Sequence, residues 1–178
     1  MNTTAKKSLS RYAALVAVSL LALTGCATTG AAPESDVPAG ESITIDDSWV
    51  KSADDGMSAA FGTLVNSGSD DITVVSADTE ASSMVELHET VENESGEMVM
   101  REIEGGFVIP AGGEFALEPG ANHIMLMGLT HPLQAGDEVT VTLTFSDDST
   151  YEFTAPVKDY SGANENYESG DEHEGMDH

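Results

Sequence analysis

The feature that most constrains the fold is a series of short runs rich in β-branched and aromatic residues, separated by turn signals at fairly even spacing. The runs cover residues 42–45, 48–50, 59–65, 72–75, 84–88, 97–100, 107–109, 113–117, 123–127, 139–145 and 151–155. The turn signals between them are clusters of Gly, Pro, Asn, Asp and Ser at residues 66–71, 110–113, 118–120, 134–137 and 146–149. No long stretch repeats with the 3.6-residue period of an amphipathic helix. This pattern predicts an all-β sandwich over residues 42–158.

The amino-terminal segment has the pattern of a bacterial signal peptide. A basic segment at residues 1–11 precedes a short apolar run at residues 12–23, which is too short to cross a membrane comfortably. The run ends in Leu-Thr-Gly-Cys at residues 23–26, which resembles the lipobox of lipoproteins. We therefore expect cleavage after residues 1–25, diacylglycerol on the sulfur of Cys26, and a protein lipid-anchored to the outer face of the bacterial cell membrane. The alternative is an ordinary secreted protein with an incidental cysteine at this border.

Two segments outside the run of strands lack any periodic pattern. Residues 26–41 are small, polar and contain Pro and Gly, which predicts a flexible tether between the lipid and the domain. Residues 159–178 are acidic with almost no aliphatic content, which predicts a disordered tail.

The charge and the cysteine count exclude several classes of protein. The formal net charge is −26, and beyond Cys26 only Lys51, Arg101 and Lys158 are basic. Such a chain repels phosphate backbones, so we expect no nucleic-acid partner. The single cysteine excludes an intramolecular disulfide, a CxxC redox pair and a zinc site built on cysteines. No nucleophile–base pair, paired-carboxylate motif or phosphate loop is visible, so we do not expect an enzyme.

Histidine and methionine share one strand phase in three of the runs. Side chains on a strand alternate between its two faces, so residues two apart lie on the same face. The aliphatic residues of these runs occupy one phase: Val85, Leu87, Val99, Ile124 and Leu126. The opposite phase holds Met84, Glu86, His88, Met98, Met100, His123, Met125 and Met127. One interpretation is that methionine fills a core that is buried on both faces. We favour a metal site of thioether and imidazole groups that faces solvent at one end or edge of the sandwich.

The ligand types then indicate which metal such a site would bind. Thioether sulfur is soft and uncharged, so it offers little to Zn²⁺, Mg²⁺ or Ca²⁺ and suits Cu(I). A blue-copper centre needs a cysteine thiolate, which an acylated Cys26 cannot supply. Thioethers need no deprotonation and form no disulfides, so they suit an oxidising compartment. Weak soft ligands near a surface hold copper and release it, which is the behaviour of a carrier.

At this point the sequence resembles a known family over about residues 42–157. The matching stretches are Trp49-Val50, Gly56-Met57, residues 85–91, 98–100, 104–113 and 119–120, and residues 123–129. They resemble the PCuAC family of periplasmic-type copper(I) chaperones, whose copper motif is a His, a Met and then His-x-Met. Here 11 residues separate His88 from Met100, 22 separate Met100 from His123, and Met125 completes His-x-Met. The first spacing is one residue longer than the family's, and the turn at residues 93–96 accommodates the extra residue.

The resemblance implies a cupredoxin-like Greek-key β-sandwich that binds Cu(I). It implies the ligands His88, Met100, His123 and Met125. Strand phase leaves Met98 as an alternative to Met100. Met127 and Met84 are candidates for neighbouring additional ligands, and packing in the core or at the rim is the other interpretation of both. The resemblance also implies delivery of copper to the copper centre of cytochrome c oxidase, through an oxidase subunit or an assembly factor. The tail residues His173, Met176 and His178 resemble tails that take Cu(II) in some members of the family. A solvated acidic tail with incidental histidines is the alternative for that segment.

Two other functions are compatible with the sequence. One is a surface copper scavenger or resistance protein, which sequesters copper without a protein acceptor. The other is a structural or adhesive lipoprotein whose methionines dock a partner, and which would be indifferent to copper.

Overall fold

The computed structural model describes residues 37–161 and 166–167. The predicted signal peptide, the lipidation site Cys26, the first part of the tether and most of the predicted disordered tail, with His173, Met176 and His178, lie outside the described residues. Within the described part of the tail, a two-residue strand lies at Asn166–Tyr167. No helix among the described residues has the length and apolar character needed to span a membrane.

The regular secondary structure of the described residues is almost entirely β-strand, as the alternating runs predict. The elements are α1 (Ala39–Ser42), β1 (Ile43–Lys51), β2 (Met57–Asn66), β3 (Ile72–Asp78), β4 (Ser82–Glu92), β5 (Met98–Glu102), β6 (Phe107–Ile109), β7 (Glu114–Leu117), β8 (His123–Leu129), β9 (Glu138–Phe145), β10 (Thr150–Lys158) and β11 (Asn166–Tyr167). The predicted runs 42–45 and 48–50 belong to one strand, β1, whose register to β2 shifts between Asp46 and Trp49. Every predicted turn signal falls between two strands.

The strands form two sheets that are joined along one edge. The order of hydrogen-bonded neighbours is β11-β5-β4-β8-β2-β1-β10-β9-β3-β6, and β7 pairs with β2. Most neighbours are antiparallel, whereas β1 runs parallel to β10 and joins the two halves of the order. The chain crosses repeatedly between the halves, from β2 to β3, from β3 to β4, from β5 to β6 and from β8 to β9. This is the connectivity of a Greek-key sandwich, and the predicted fold class is confirmed.

The main core lies between the two sheets and is aliphatic and aromatic. Its largest fully buried hydrophobic side chains include Phe107, Phe145, Leu64, Ile109, Leu143, Ile124 and Leu126. Burying each of these side chains contributes about 1.5–3 kcal/mol to stability. Leu87, Ile124 and Leu126 belong to this cluster, as their strand phase predicts. Because alternate residues point to opposite faces, the His and Met residues of β4 and β8 lie on the outer face of their sheet.

One glycine is required where β6 approaches β3. Gly106 has φ of 80°, and a Cβ atom there would overlap the carbonyl oxygen of Val74. The position tolerates no side chain, so Gly106 fixes how Phe107 enters the core.

Candidate metal centre

Two histidines face each other across the neighbouring strands β4 and β8. The antiparallel register of β4 and β8 pairs His88 directly with His123. Their ring centroids lie 5.5 Å apart, and the ring planes are inclined at 63°. Both residues are buried, with exposures of 0% and 1%. The register therefore brings together two residues that are far apart in the sequence.

Two methionines flank this histidine pair on the same face. Met125 lies two residues along β8 from His123, and Met100 lies on β5 opposite Thr90, which is two residues from His88. Met100 and Met125 are 7% and 5% exposed. The four residues that the sequence predicts as ligands thus lie on one face of three adjacent strands.

The prediction that these residues face solvent is wrong. The strand phase is right, because neither methionine nor either histidine belongs to the core cluster between the sheets. However, all four side chains are buried, and aromatic residues flank them on the outer face. The ring of Phe61 lies 6.2 Å from His123, Trp49 lies 4.6 Å from Phe61, and Tyr160 lies 5.4 Å from Trp49. These rings make a second apolar layer on the outer face of the sheet.

A small cavity opens beside this layer. It has a volume of about 160 Å³ and is lined by Met100, His123 and Met125 together with Phe61 and Tyr160. Sites for drug-sized organic ligands usually span about 300–1,000 Å³. The cavity suits an ion or a very small molecule, and its donor atoms are thioether sulfurs and an imidazole nitrogen.

Hydrogen bonds fix which nitrogen each histidine presents. Nδ1 of His123 lies 2.9 Å from the carbonyl oxygen of Ala121, so it carries the proton and donates. Nε2 of His123 then carries the lone pair, and it is buried without a hydrogen-bond partner in the described part of the chain. Nε2 of His88 lies 2.8 Å from Oε2 of Glu86 and donates to that carboxylate. In the neutral ring the lone pair of His88 is therefore on Nδ1.

The environment keeps His123 neutral at physiological pH. Burial lowers the pKa of His123 below its usual value of 6.5, and the neighbouring His88 lowers it further, while the hydrogen bond to Ala121 acts in the opposite direction. A neutral imidazole with a buried lone pair is ready to act as a ligand without losing a proton.

The donor set fits a soft monovalent cation. In the described residues no three His, Cys, Asp or Glu side chains are grouped so that they could hold a metal ion. Beside the hydroxyl of Ser58 and the amine of Lys51, the cavity presents the thioethers of its methionines and the imidazole of His123. These soft and neutral donors suit Cu(I) rather than Zn²⁺, Mg²⁺ or Ca²⁺. The buried Nε2 of His123 has a free lone pair that such an ion would engage.

The structure separates the alternative ligand candidates. Met98 is 51% exposed and does not line the cavity, whereas Met100 does. Met127 is 6% exposed and lies on the same face as Met125, one alternate position further along β8. His131 is exposed and contacts the hydroxyl of Thr130.

Sequence reasoning did not assign a role to four residues around the cavity. Glu86 lies on the same face as His88 two residues earlier, so the Glu-x-His spacing carried a usable signal for their hydrogen bond. The aromatic residues Trp49, Phe61 and Tyr160 come from β1, β2 and the segment after β10. No local pattern shows that these three elements meet, because their contact depends on the strand order.

The fold and the site define a class of protein seen in solved structures. The chain resembles apo-DR1885 from Deinococcus radiodurans, with 25% identity, a TM-score of 0.53, and coverage of 89% of this chain and 99% of that one. For CuI-DR1885 the identity is 29% and the TM-score is 0.51, with coverage of 66% of this chain and 80% of that one. For the copper-bound PCuAC domain from PmoF2 the identity is 16% and the TM-score is 0.55, with coverage of 67% of this chain and 94% of that one. The described domain therefore has the PCuAC-type fold, which confirms the resemblance noted in its sequence.

The family follows from the sequence itself. The sequence model described as "Putative lipoprotein LpqE-like" matches residues 43–157. The chain is also 49% identical over 156 residues to "Putative lipoprotein Lxx21020" of Leifsonia xyli subsp. xyli, covering 87% of this chain and 93% of that protein. The chain belongs to the LpqE-like family.

Proposed function

We propose that this protein is an extracytoplasmic, lipid-anchored copper(I) chaperone. It binds one Cu(I) through His88, Met100, His123 and Met125 and delivers it to an acceptor such as the copper centre of cytochrome c oxidase. The observation that carries the proposal is the convergence of two thioethers and an imidazole on one small cavity, with the second histidine packed against the first.

The similar structures support copper as the cargo. One is the copper-bound PCuAC domain from PmoF2, and another is CuI-DR1885, which is 29% identical to this chain. The four residues carried over from the family motif are the four that lie together on the outer face of β4, β5 and β8. Motif spacing therefore supports all four residues, and cavity chemistry independently supports Met100, His123 and Met125.

The chemistry of this set suits transfer rather than permanent storage. All four ligands are neutral, so binding and release of Cu(I) require no proton to leave a ligand when the histidines are already neutral. Neutral thioethers hold Cu(I) without the strength of thiolates. The cavity is lined in part by Tyr160, which is 41% exposed. An acceptor that offers a stronger ligand can then take the ion by stepwise ligand exchange.

The anchor is proposed from the lipobox and from the family. The matching family model and the Leifsonia relative both carry the word lipoprotein in their names. Diacylglycerol on Cys26 would supply two acyl chains and hold the domain at the membrane surface, where a membrane-bound acceptor of copper could be met. The segment up to the described domain would then act as the tether.

The test is an anaerobic Cu(I) titration against a competing chelator. We expect the wild-type protein to bind one equivalent tightly, and the double variant His123→Ala/Met125→Ala to lose that equivalent. The matched control is His131→Ala, which removes an exposed histidine outside the site and should bind copper as the wild type does. Unchanged copper binding by the double variant would refute the ligand assignment.

Delivery is tested separately, with the copper-loaded protein and a soluble copper-free oxidase domain. The copper optical bands of the acceptor should appear as the chaperone is emptied. Retention of copper by the chaperone in the presence of a competent acceptor would favour a scavenger.

A further inference from the structure

Three methionines from three strands lie side by side on the outer face of the sheet that contains β4, β8 and β2. Met127 on β8 pairs directly with Met57 on β2 and with Met84 on β4. Directly paired residues place their side chains on the same face, with Cβ atoms about 4.5–5.5 Å apart. The three side chains therefore form a straight row across the sheet, which we call the methionine row.

The exposure of the row differs from that of ordinary apolar residues. Met57 and Met84 are 46% and 52% exposed, whereas Met127 between them is 6% exposed. Large exposed apolar residues are few in the described domain, and two of them flank the same buried methionine. Packing accounts for Met127, but it does not account for the two exposed methionines on either side of it.

The row offers three soft donors. Methionine has three rotatable bonds beyond Cα, so the sulfurs of Met57 and Met84 can lean inward over Met127 and meet at one point. The set consists of neutral thioethers, which bind Cu(I) and offer little to hard divalent cations. We propose that Met57, Met84 and Met127 form a second, exposed Cu(I) site, through which copper enters and leaves the buried centre.

The role of the row in copper entry rests on the proposed function, whereas copper binding at the row does not rest on it. The position of the row supports this role. Met57 belongs to the row and also lines the cavity of the buried centre, together with Met125. Met125 lies two residues from Met127 on the same strand face. Copper can therefore pass from the row to the centre by exchange at neighbouring sulfurs. In each exchange one Cu–S bond breaks as another ligand bond forms, the ion stays Cu(I), and no proton moves.

The experiment follows each methionine separately during an anaerobic Cu(I) titration. Labelling the methionine ε-methyl groups with ¹³C gives one NMR signal for each methionine. With the full-length protein we expect the first equivalent to shift Met100 and Met125, and the second to shift the three residues of the row. The double variant Met57→Leu/Met84→Leu should lose the second equivalent, and Met84→Leu alone, at a residue that does not line the cavity, should weaken the second equivalent and keep the first. The control Met98→Leu, which removes an equally exposed methionine of β5, should keep the second equivalent.

The outcomes separate this proposal from the proposed function. A protein that takes no second equivalent, or a double variant that still takes it with the same shifts, would overturn the second site and leave the row as apolar surface. A protein whose row shifts while Met100 and Met125 do not respond would keep the row and overturn the buried centre. Slower loading of the centre in Met84→Leu, at unchanged affinity, supports the role of the row in entry.

Discussion

Replacing His123 with leucine should stabilise the copper-free protein, although it removes a proposed ligand. Nε2 of His123 is buried and has no hydrogen-bond partner among the residues described, which costs about 1–3 kcal/mol. The substitution also removes the hydrogen bond from Nδ1 to Ala121, which contributes about 1 kcal/mol. The carbonyl of Ala121 stays satisfied, because it also accepts a hydrogen bond from the hydroxyl of Thr90 at 3.1 Å. The balance is a gain of about 1 kcal/mol, which raises Tm by about 4 °C.

Measuring stability at two pH values separates the effect of the buried imidazole from an effect of packing. Because burial lowers the pKa of His123 in the folded protein, the unfolded chain takes up the proton first as the pH falls below 6.5. Above that value the imidazole is neutral in both states and adds no pH dependence. The wild-type protein should therefore lose stability between pH 6.5 and 5, and His123→Leu should lack this part of the loss.

The measurement is urea unfolding of copper-free protein by circular dichroism at pH 7.5 and 5.5. The control is His131→Leu, which replaces an exposed histidine and should leave both values unchanged. A variant that is less stable than the wild type by more than about 1 kcal/mol at pH 7.5, and that keeps the wild-type pH dependence, would refute the reasoning. In that case His123 would be a structural residue rather than one that sacrifices stability for binding.

Four further predictions concern the core, the candidate site and the lipid anchor. Leu126→Ala should destabilise the protein by about 2–5 kcal/mol in thermal or urea unfolding, because the residue is fully buried in the core cluster, and its Cu(I) stoichiometry should stay at the wild-type value. Glu86→Ala should weaken Cu(I) in chelator competition by about 10–100-fold because it releases the ring of His88, whereas Glu86→Gln, which keeps an acceptor, and the exposed Glu102→Gln should weaken it less. Cu(I) affinity should fall between pH 7.5 and 5 as protons compete for the imidazoles, with His123 responding below its usual pKa because burial lowers it; an unchanged affinity would mean that histidine is not a ligand. Cys26→Ser should yield unlipidated or uncleaved protein by mass spectrometry, and a mature lipidated species would exclude Cys26 as the acceptor.

The strand phase of the site could be predicted from the sequence, but its burial could not. Alternation alone assigned His123 and Met125 to the face opposite Ile124 and Leu126, and the structure has that arrangement. Whether that face is covered depends on residues distant in the chain. Trp49 reaches the site because β1 pairs with β2, and β2 with β8, a strand order that no local pattern specifies.

The choice between Met98 and Met100 illustrates the same limit. Both methionines have the same phase on β5, so alternation cannot separate them. The register of the β4–β5 hairpin does, since Met100 pairs with Thr90 next to His88, while Met98 pairs with Glu92 towards the turn. A one-residue change in that turn would reassign the partners, because register in a hairpin is set by its loop.

Strand β1 also sets the distance between the cavity and the point where the chain enters the domain. The strand begins at Ile43, which pairs with Asn66, and it reaches the level of the cavity at Val50, which pairs with Ala60. At about 3.3 Å per residue, roughly 20 Å of rigid sheet separate the point where the chain enters the domain from the cavity. Any attachment through the amino-terminus therefore acts at one pole of the sandwich, while the cavity lies near the other. An acceptor that meets this domain at a membrane would have to project its own site at least that far above the surface, or the tether would have to let the whole domain turn over.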